Sequence, residues 1–335
     1  MQPAIFGLQG ERLTAEERDF FRDADPAGYI LFKRNCASRV QLRALTDELR
    51  ALSGRDDLPI LIDQEGGRVA RLKPPEWAEF PAGGRFAALY EKAPMSAIQA
   101  ARLNAAALAA TLREVGVTVD CLPLLDVRQE GAHDIIGDRA LGAEPMQVAA
   151  LGRAVIEGLR DGGVVGVVKH MPGHGRAGAD SHLELPVVDA DEEALETDIA
   201  PFRSLKDAPM GMTCHVVFKA WDAERPATLS PRVIGEVIRG RIGFDGLLMT
   251  DDIDMKALSG RPGEIAAAAV AAGCDVILDC WAKLDDMIER ADALPDMSAR
   301  SRERLDRAMA TIAGVGAGEP YEELAAKRDA LLAYA

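Results

Sequence analysis

The segment from Lys169 to His182 concentrates groups that can donate, accept or hold a proton. It contains Lys169, three of the five histidines and Asp180 within fourteen residues. Its glycines and proline predict a loop, and the apolar run 164–168 in front of it predicts a buried strand. Enzymes commonly carry catalytic groups on loops held by a rigid scaffold, so we predict chemistry at this position.

The acid pair Asp251-Asp252 is a second candidate, because it directly follows an apolar run. A carboxylate beside a buried strand is costly unless it is paired or used. Neighbouring residues of a strand point to opposite sides, so we expect only one of the two acids to face a site. That residue is a candidate carboxylate nucleophile, and a turn or helix cap is the alternative interpretation.

Asp63 and Arg71 suggest a binding role at the end of another apolar run. The hypothesis is that they hold hydroxyl groups of a polar ligand, and the alternative is a turn cap or a local ion pair. Arg139 is a candidate ligand clamp, because a guanidinium presents a rigid fork of donors. A surface ion pair with Asp138 or another acid is its alternative role.

Lys169 and His170 adjoin a valine run, which favours donors aimed into a cavity over ordinary core residues. Asp126, after the fourth apolar run, fits a buried hydrogen-bond acceptor. His215 fits a buried histidine whose ring nitrogens are hydrogen-bonded.

Eight short β-rich runs are expected to position these groups. Most are continuously apolar, which is typical of parallel strands covered on both faces. Helical periodicity separates them, as in 39–52, where Leu42, Leu45 and Leu49 share one face. The predicted strands are 4–8, 28–32, 58–63, 117–124, 164–169, 210–216, 246–250 and 274–278.

This alternation predicts an α/β fold, a (β/α)8 barrel. A doubly wound open sheet is the alternative, but no glycine-rich dinucleotide fingerprint follows the first strand. Helical stretches at 298–313 and 321–334 are expected to pack on the barrel, giving one domain over residues 1–335. The other predicted helices are 96–114, 145–161, 194–205, 231–239 and 263–272.

Composition narrows the function classes. The chain has 335 residues, 48% of them hydrophobic, and a formal net charge of −15 with a pI near 4.9. Such an acidic surface disfavours nucleic acids and anionic membranes as partners. The amino-terminal residues lack the features of a signal peptide, and the five cysteines fit buried reduced thiols. We therefore expect a soluble cytoplasmic protein.

The motifs DQEGGR, GDR, KHxPGHG with DSH, and TDD follow one another in the order found in family 3 glycoside hydrolases. The chain resembles that family, and more narrowly its bacterial cytoplasmic β-N-acetylglucosaminidases of cell-wall recycling. The resemblance covers residues 4–285. It implies a single-domain (β/α)8 barrel that hydrolyses with retention through a covalent glycosyl-enzyme intermediate.

The resemblance also implies residue roles. Asp251 matches the nucleophile, His182 the acid/base and Asp180 the acid that orients His182. The implied substrate is a small carbohydrate, an N-acetylglucosamine-containing muropeptide, with no cofactor and no metal; a monomer is plausible. The positions that match sugar-binding residues are Asp63, Arg71, Arg139, Lys169 and His170.

Some residues depart from the family pattern. They change the shape of the region next to the site and leave the fine substrate preference open. They are Met171, Thr250, Cys214 and the pair Ala140-Leu141.

Three rival functions also remain: a glycosidase using the substrate's own acetamido group, a metal-dependent barrel hydrolase using histidines, and a non-catalytic sugar-binding barrel.

Overall fold

Eight parallel strands close into a barrel, and two short strands form a small separate sheet. The computed structural model describes residues 1–129, 131, 134–181, 183–316 and 318–334. Around the barrel the strand order is β1-β2-β3-β4-β5-β7-β9-β10, with β10 pairing back to β1. The strands are β1 (Gln2–Gly7), β2 (Pro26–Leu31), β3 (Ile60–Ile62), β4 (Val119–Asp120), β5 (Val165–Met171), β6 (Val187–Val188), β7 (Met210–Thr213), β8 (Val217–Phe218), β9 (Leu247–Asp252) and β10 (Val276–Asp279).

Helices alternate with the strands on the outside of the barrel. A π-helix spans Val233–Ile242, and short 3₁₀ turns span Lys33–Asn35, Gly137–Arg139 and Ala227–Leu229. The α-helices are α1 (Ala15–Ala24), α2 (Arg39–Ser53), α3 (Gly83–Tyr90), α4 (Pro94–Glu114), α5 (Pro145–Asp161), α6 (Glu192–Ser204), α7 (Pro262–Ala272), α8 (Leu284–Ala293), α9 (Ala299–Ala310) and α10 (Tyr321–Leu332).

The predicted barrel is confirmed, since each of the eight predicted runs overlaps one barrel strand and the sheet is closed. No helix of the described ranges is long and apolar enough to cross a membrane. The run 117–124 forms a much shorter strand than predicted, Val119–Asp120. Pro123 explains part of this, because a proline has no N–H to donate to a ladder.

Helices α1, α3 and α8 and the small β6–β8 sheet were missed from the sequence. For α1 the signal was present: Thr14 and Glu17 form a reciprocal capping box, which marks a helix start. The β6–β8 pair joins two loops that are distant in sequence, Val187–Val188 with Val217–Phe218. Such a pairing leaves no local pattern in either segment.

The two carboxy-terminal helices pack in different places. Helix α9 lies at the amino-terminal end of the barrel, where Leu305 and Met309 join the apolar side chains of the barrel interior. Ser301 and Arg304 on this helix both hydrogen-bond to Asp275 just before β10. Helix α10 packs on α4 outside the barrel. The opposite, carboxyl end of the strands is therefore left for a site.

Candidate active site

A cavity of about 370 Å³ lies at the carboxyl ends of the barrel strands. Barrel enzymes place their active sites at this end. A larger cavity of about 810 Å³ lies between α4 and the segment before α10, lined by apolar helix residues and surface ion pairs. We place the site at the barrel mouth because charged side chains from four strand ends converge there. Six residues predicted from the sequence line it: Asp63, Arg71, Arg139, Lys169, His170 and Asp251.

A chain of alternating charges forms one wall. Arg71 Nη2 lies 3.0 Å from Asp63 Oδ2, and Lys169 Nζ lies 3.0 Å from the other oxygen of Asp63. The same ammonium is 2.8 Å from Glu65 Oε1. Arg139 completes the chain with two 2.8 Å bonds to the Glu65 carboxylate. Five charged groups thus fix one another across three strand ends.

Burial makes these pairings strong. The Lys169 side chain is 2% exposed and that of Glu65 is 4% exposed. Burial alone would lower the pKa of Lys169, but the Glu65 and Asp63 carboxylates outweigh it and hold that pKa above its ordinary value. Burial would raise the pKa of Asp63, yet Lys169 and Arg71 keep it well below its usual range. Lys169 and Asp63 are therefore both charged at neutral pH.

The alternatives for Arg139 and Asp63 are resolved in part. Arg139 does pair with an acid, but the acid is buried Glu65 and not Asp138, which lies 3.3 Å from Arg68 instead. Asp63 pairs with Arg71 as well as with Lys169. Both residues line the cavity, so ion pairing and contact with a ligand are compatible.

His170 is held by a buried carboxylate beneath the cavity. Its Nδ1 lies 2.7 Å from Asp126 Oδ2, while Asp126 Oδ1 accepts the backbone N–H groups of His170 and His174. Burial would raise the pKa of Asp126, but the two imidazoles and these hydrogen bonds lower it to about 2. The expected role of Asp126 as a buried acceptor is confirmed. Burial and the neighbouring His170 lower the pKa of His174 to about 4.

Asp251 presents its carboxylate to the cavity, with Oδ2 4.0 Å from His170 Nε2. Burial acts to raise its pKa, but His170 and His215 outweigh burial and hold it below the ordinary value. The carboxylate is therefore ionised at neutral pH. His215 is fully buried behind it, with Nδ1 2.7 Å from Thr228 Oγ1 and Nε2 2.9 Å from the Asp252 carbonyl oxygen, as the sequence predicted.

The expectation that only one acid of the Asp251-Asp252 pair faces the site is wrong. Both residues line the cavity, because the pairing of β9 with β10 shifts register: Met249 pairs with Val276 and Asp252 with Leu278. Such a bulge breaks the alternation of side chains. Asp252 is engaged elsewhere, accepting from Trp281 Nε1 at 3.0 Å. Burial raises its pKa to about 7.

A register shift of the same kind, in the pairing of β5 with β7, brings Lys169 and His170 to the cavity together. Val168 pairs with Gly211 and Met171 with Thr213, so β5 has one more residue than β7 between these pairs. Two consecutive side chains can then line one cavity, which regular alternation forbids.

The loop after β5, in which the sequence places the predicted acid/base residues, contributes His174 and Ser181 to the cavity wall. Ser181 lines the cavity, with Oγ 3.4 Å from His174 Nε2. Asp180 precedes it, and the Asp180 carbonyl oxygen accepts the N–H groups of Leu183 and Glu184. The prediction for His182 falls outside the described residues.

Sequence reasoning missed several residues of the cavity wall. Glu65 was within the DQEGGR motif, two positions after Asp63, and its charge next to a predicted strand end was an available signal. Phe32 and Met255 also line the cavity and have no local signal, because only barrel closure brings them to the site.

A parallel barrel whose mouth holds acids, cations and imidazoles around one small cavity defines a barrel enzyme acting on a polar small molecule. The chain belongs to glycosyl hydrolase family 3: residues 4–315 match the model of the Glycosyl hydrolase family 3 N terminal domain. The resemblance inferred from the motifs is confirmed.

Individual relatives and solved structures agree with this family assignment. A β-hexosaminidase of Alkalilimnicola ehrlichii is 42% identical over 283 residues, covering 83% of this chain and 80% of the relative. NagZ from Neisseria gonorrhoeae, in complex with N-trifluoroacetyl-D-glucosamine, superposes with a TM-score of 0.87 at 32% identity, covering 100% of this chain and 98% of NagZ. A family 3 β-N-acetylglucosaminidase from Paenibacillus sp. str. FPU-7 gives a TM-score of 0.82 at 32% identity. The match covers 98% of this chain but only 61% of that longer chain.

Proposed function

We propose that this protein is a retaining β-N-acetylhexosaminidase that removes terminal, non-reducing β-linked N-acetylglucosamine. Membership of glycosyl hydrolase family 3 and 42% identity to a β-hexosaminidase support the hydrolase activity. The observation that carries the mechanism is the Asp251 carboxylate. It lies in the wall of a small polar cavity with its pKa held below the ordinary value, so it is ready to act as a nucleophile.

In the first step, an oxygen of Asp251 attacks the anomeric carbon while the glycosidic C–O bond breaks. His182 gives its proton to the leaving oxygen, so the aglycone departs as a neutral alcohol. In the second step, a water molecule loses a proton to His182 and attacks the same carbon. The bond to Asp251 breaks, and the β configuration is retained.

A histidine suits this acid/base role, since its unperturbed pKa of about 6.5 lets it give and recover a proton near neutral pH. Asp180 is proposed to accept from one of its ring nitrogens, which sets the tautomer. The position of the next residue, Ser181, at the cavity supports the placement of this loop.

The remaining charged groups are proposed to bind the sugar. Asp63 and Lys169 present an acceptor and a donor 3.0 Å apart, a spacing that suits adjacent hydroxyl groups. Arg71 and Arg139 offer guanidinium donors on the same wall. His170 lines the same cavity, with Nε2 4.0 Å from Asp251 Oδ2. Since each charged group of this wall already has an oppositely charged partner, a neutral sugar can bind without leaving a buried charge unpaired.

The physiological substrate is proposed to be a GlcNAc-1,6-anhydro-muropeptide in the cytoplasm, with residues 1–335 acting as one catalytic domain. The motif resemblance supports this choice of substrate. Mass spectrometry of anhydro-muropeptides incubated with the enzyme tests it: loss of one N-acetylglucosamine residue is expected, and an unchanged digest contradicts it.

Hydrolysis of 4-nitrophenyl N-acetyl-β-glucosaminide tests the activity, and labelling by a 2-deoxy-2-fluoro glycosyl donor tests the mechanism. Peptide mapping should locate the label on Asp251. A label on another residue contradicts the assignment. Absence of labelling together with strong inhibition by a thiazoline mimic would indicate that the substrate's acetamido group is the nucleophile.

A further inference from the structure

Trp281 is a large aromatic side chain left open to solvent beside the catalytic cavity. It is 61% exposed, whereas the other two tryptophans, Trp77 and Trp221, are 4% and 2% exposed. A tryptophan that is fixed in place and exposed at the edge of a site presents a large apolar face to a ligand.

The backbone on both sides of Trp281 is fixed. Cys280 N donates to Asp252 Oδ1 at 3.3 Å, and the Cys280 carbonyl oxygen accepts from Arg34. On the other side, Ala282 adopts a φ of 57°, in the left-handed region that alanine disfavours, and its N–H bonds to Asp279 Oδ1 at 3.2 Å. A residue stays in such a conformation only when its surroundings hold it there.

The indole itself is anchored as well. Its Nε1–H donates to Asp252 Oδ2 at 3.0 Å, and the ammonium of Lys283 lies 5.8 Å from the ring centroid. The ring is therefore held in one orientation although most of its surface contacts solvent. A preorganised aromatic face binds a ligand with little loss of conformational entropy.

The hydrogen bond from the indole to Asp252 connects Trp281 to the reaction centre. Asp252 follows Asp251 directly, and both Asp252 and Cys280 line the cavity, so Trp281 stands at its rim. At about 370 Å³, the cavity is near the lower end of the range of about 300–1,000 Å³ for small-molecule sites. That volume fits one enclosed sugar ring, with the rest of a substrate extending past the rim.

We propose that the indole face of Trp281 is the platform for the first sugar ring of the leaving group. This inference rests on the proposed glycosidase function and extends it to recognition of the aglycone. A pyranose carries axial C–H bonds that form an apolar face, which packs on an aromatic ring while its hydroxyl groups stay hydrated. Trp281 then selects substrates whose leaving group is itself a sugar over those whose leaving group is small.

The test compares two substrates on each enzyme: a β-1,4-linked N-acetylglucosamine disaccharide and β-N-acetylglucosaminyl fluoride, whose leaving group has no ring. The quantity measured is the ratio of kcat/KM for the disaccharide to kcat/KM for the fluoride. Aromatic contacts of this kind are worth up to about tenfold in binding. W281A should lower the ratio about tenfold, and W281F, which keeps a ring but loses the N–H, should keep most of it. Y334A is the control, since Tyr334 is an exposed aromatic residue on the carboxy-terminal tail.

An unchanged ratio in W281A overturns the inference, and so does an equal fall in W281A and W281F, which would assign the effect to the hydrogen bond with Asp252. If the wild-type enzyme hydrolyses neither substrate, the proposed function itself fails. That result is distinct, because the inference concerns only the ratio in an active enzyme.

Discussion

Replacing Asp126 by asparagine tests the electrostatic argument for the site, because this change keeps the side-chain volume and removes the negative charge. The oxygen of the introduced amide can still accept the two backbone N–H groups, from His170 and His174, that now bond to Oδ1 at 3.2 and 2.7 Å. The amide NH₂ then faces His170 Nδ1, 2.7 Å away from Oδ2 in the native protein, and can only donate. Nδ1 can accept that hydrogen bond only in the tautomer that carries its proton on Nε2.

The size of the effect follows from one distance and from one weakened hydrogen bond. His170 Nε2 lies 4.0 Å from Asp251 Oδ2, and two unit charges at that distance interact by about 4 kcal/mol at an effective dielectric constant of about 20. Solvent in the open cavity makes this a ceiling. Exchanging the bond between His170 and the Asp126 carboxylate for a neutral one costs at most the about 1.5–3 kcal/mol that a hydrogen bond to a charged group is worth, so kcat/KM should fall by at most about 10- to 150-fold.

The pH profile gives the sharper readout. Asp251 must be ionised to attack, so activity is lost as the pH falls through its pKa. His170 contributes to holding that pKa below the ordinary value, and without this contribution the pKa of Asp251 rises. The acid limb of kcat/KM for an aryl glycoside should therefore move to higher pH in D126N.

The matched control is D275N, which changes a buried carboxylate at the opposite end of the barrel, where it bonds to Ser301 and Arg304. D275N should lower the free energy of unfolding in urea but leave the acid limb in place. A D126N enzyme with an unmoved acid limb and kcat/KM within about twofold of wild type would refute the reasoning.

Three further outcomes are expected. D251N should lower kcat by about 10⁴-fold or more. Calorimetry should show that D251N binds N-acetylglucosamine within a fewfold of the wild-type affinity. Turnover near that of wild type would exclude the nucleophile role. G175A should lower turnover on aryl glycosides, because a Cβ at this position would lie 1.9 Å from a backbone oxygen. G178A should have the smaller effect, because a Cβ there has no other atom within 4 Å. Equal effects of the two substitutions would argue against a steric cause. R290M should lower the free energy of unfolding in urea by about 3–5 kcal/mol, because Arg290 is 2% exposed and pairs with Asp254 and Asp279. A loss below about 1 kcal/mol would show that the two acids become protonated when the arginine is absent.

Most of the fold could be predicted from the sequence, because a strand covered on both faces must be apolar along its whole length. That constraint is local, so runs such as 164–168 were visible without any knowledge of their neighbours. The polar residues that end these runs were visible for the same reason. Helix α1 was missed although its capping box is local, whereas the β6–β8 pairing has no local pattern to find.

The partners within the site were not predictable, because they depend on barrel closure and on register. Lys169 meets Asp63 across 106 positions of sequence and Arg139 meets Glu65 across 74. Spacing along a chain does not encode such distances.

The sequence by itself therefore determined which residues are available for chemistry and that a parallel barrel carries them. Only the tertiary structure decided how they face one another. Register shifts at β5 and β9 turn adjacent residues toward one cavity, where a regular strand would send one of each pair away. The charge on each group is then set by how deeply the closed barrel buries it and by which opposite charges lie within about 4 Å of it.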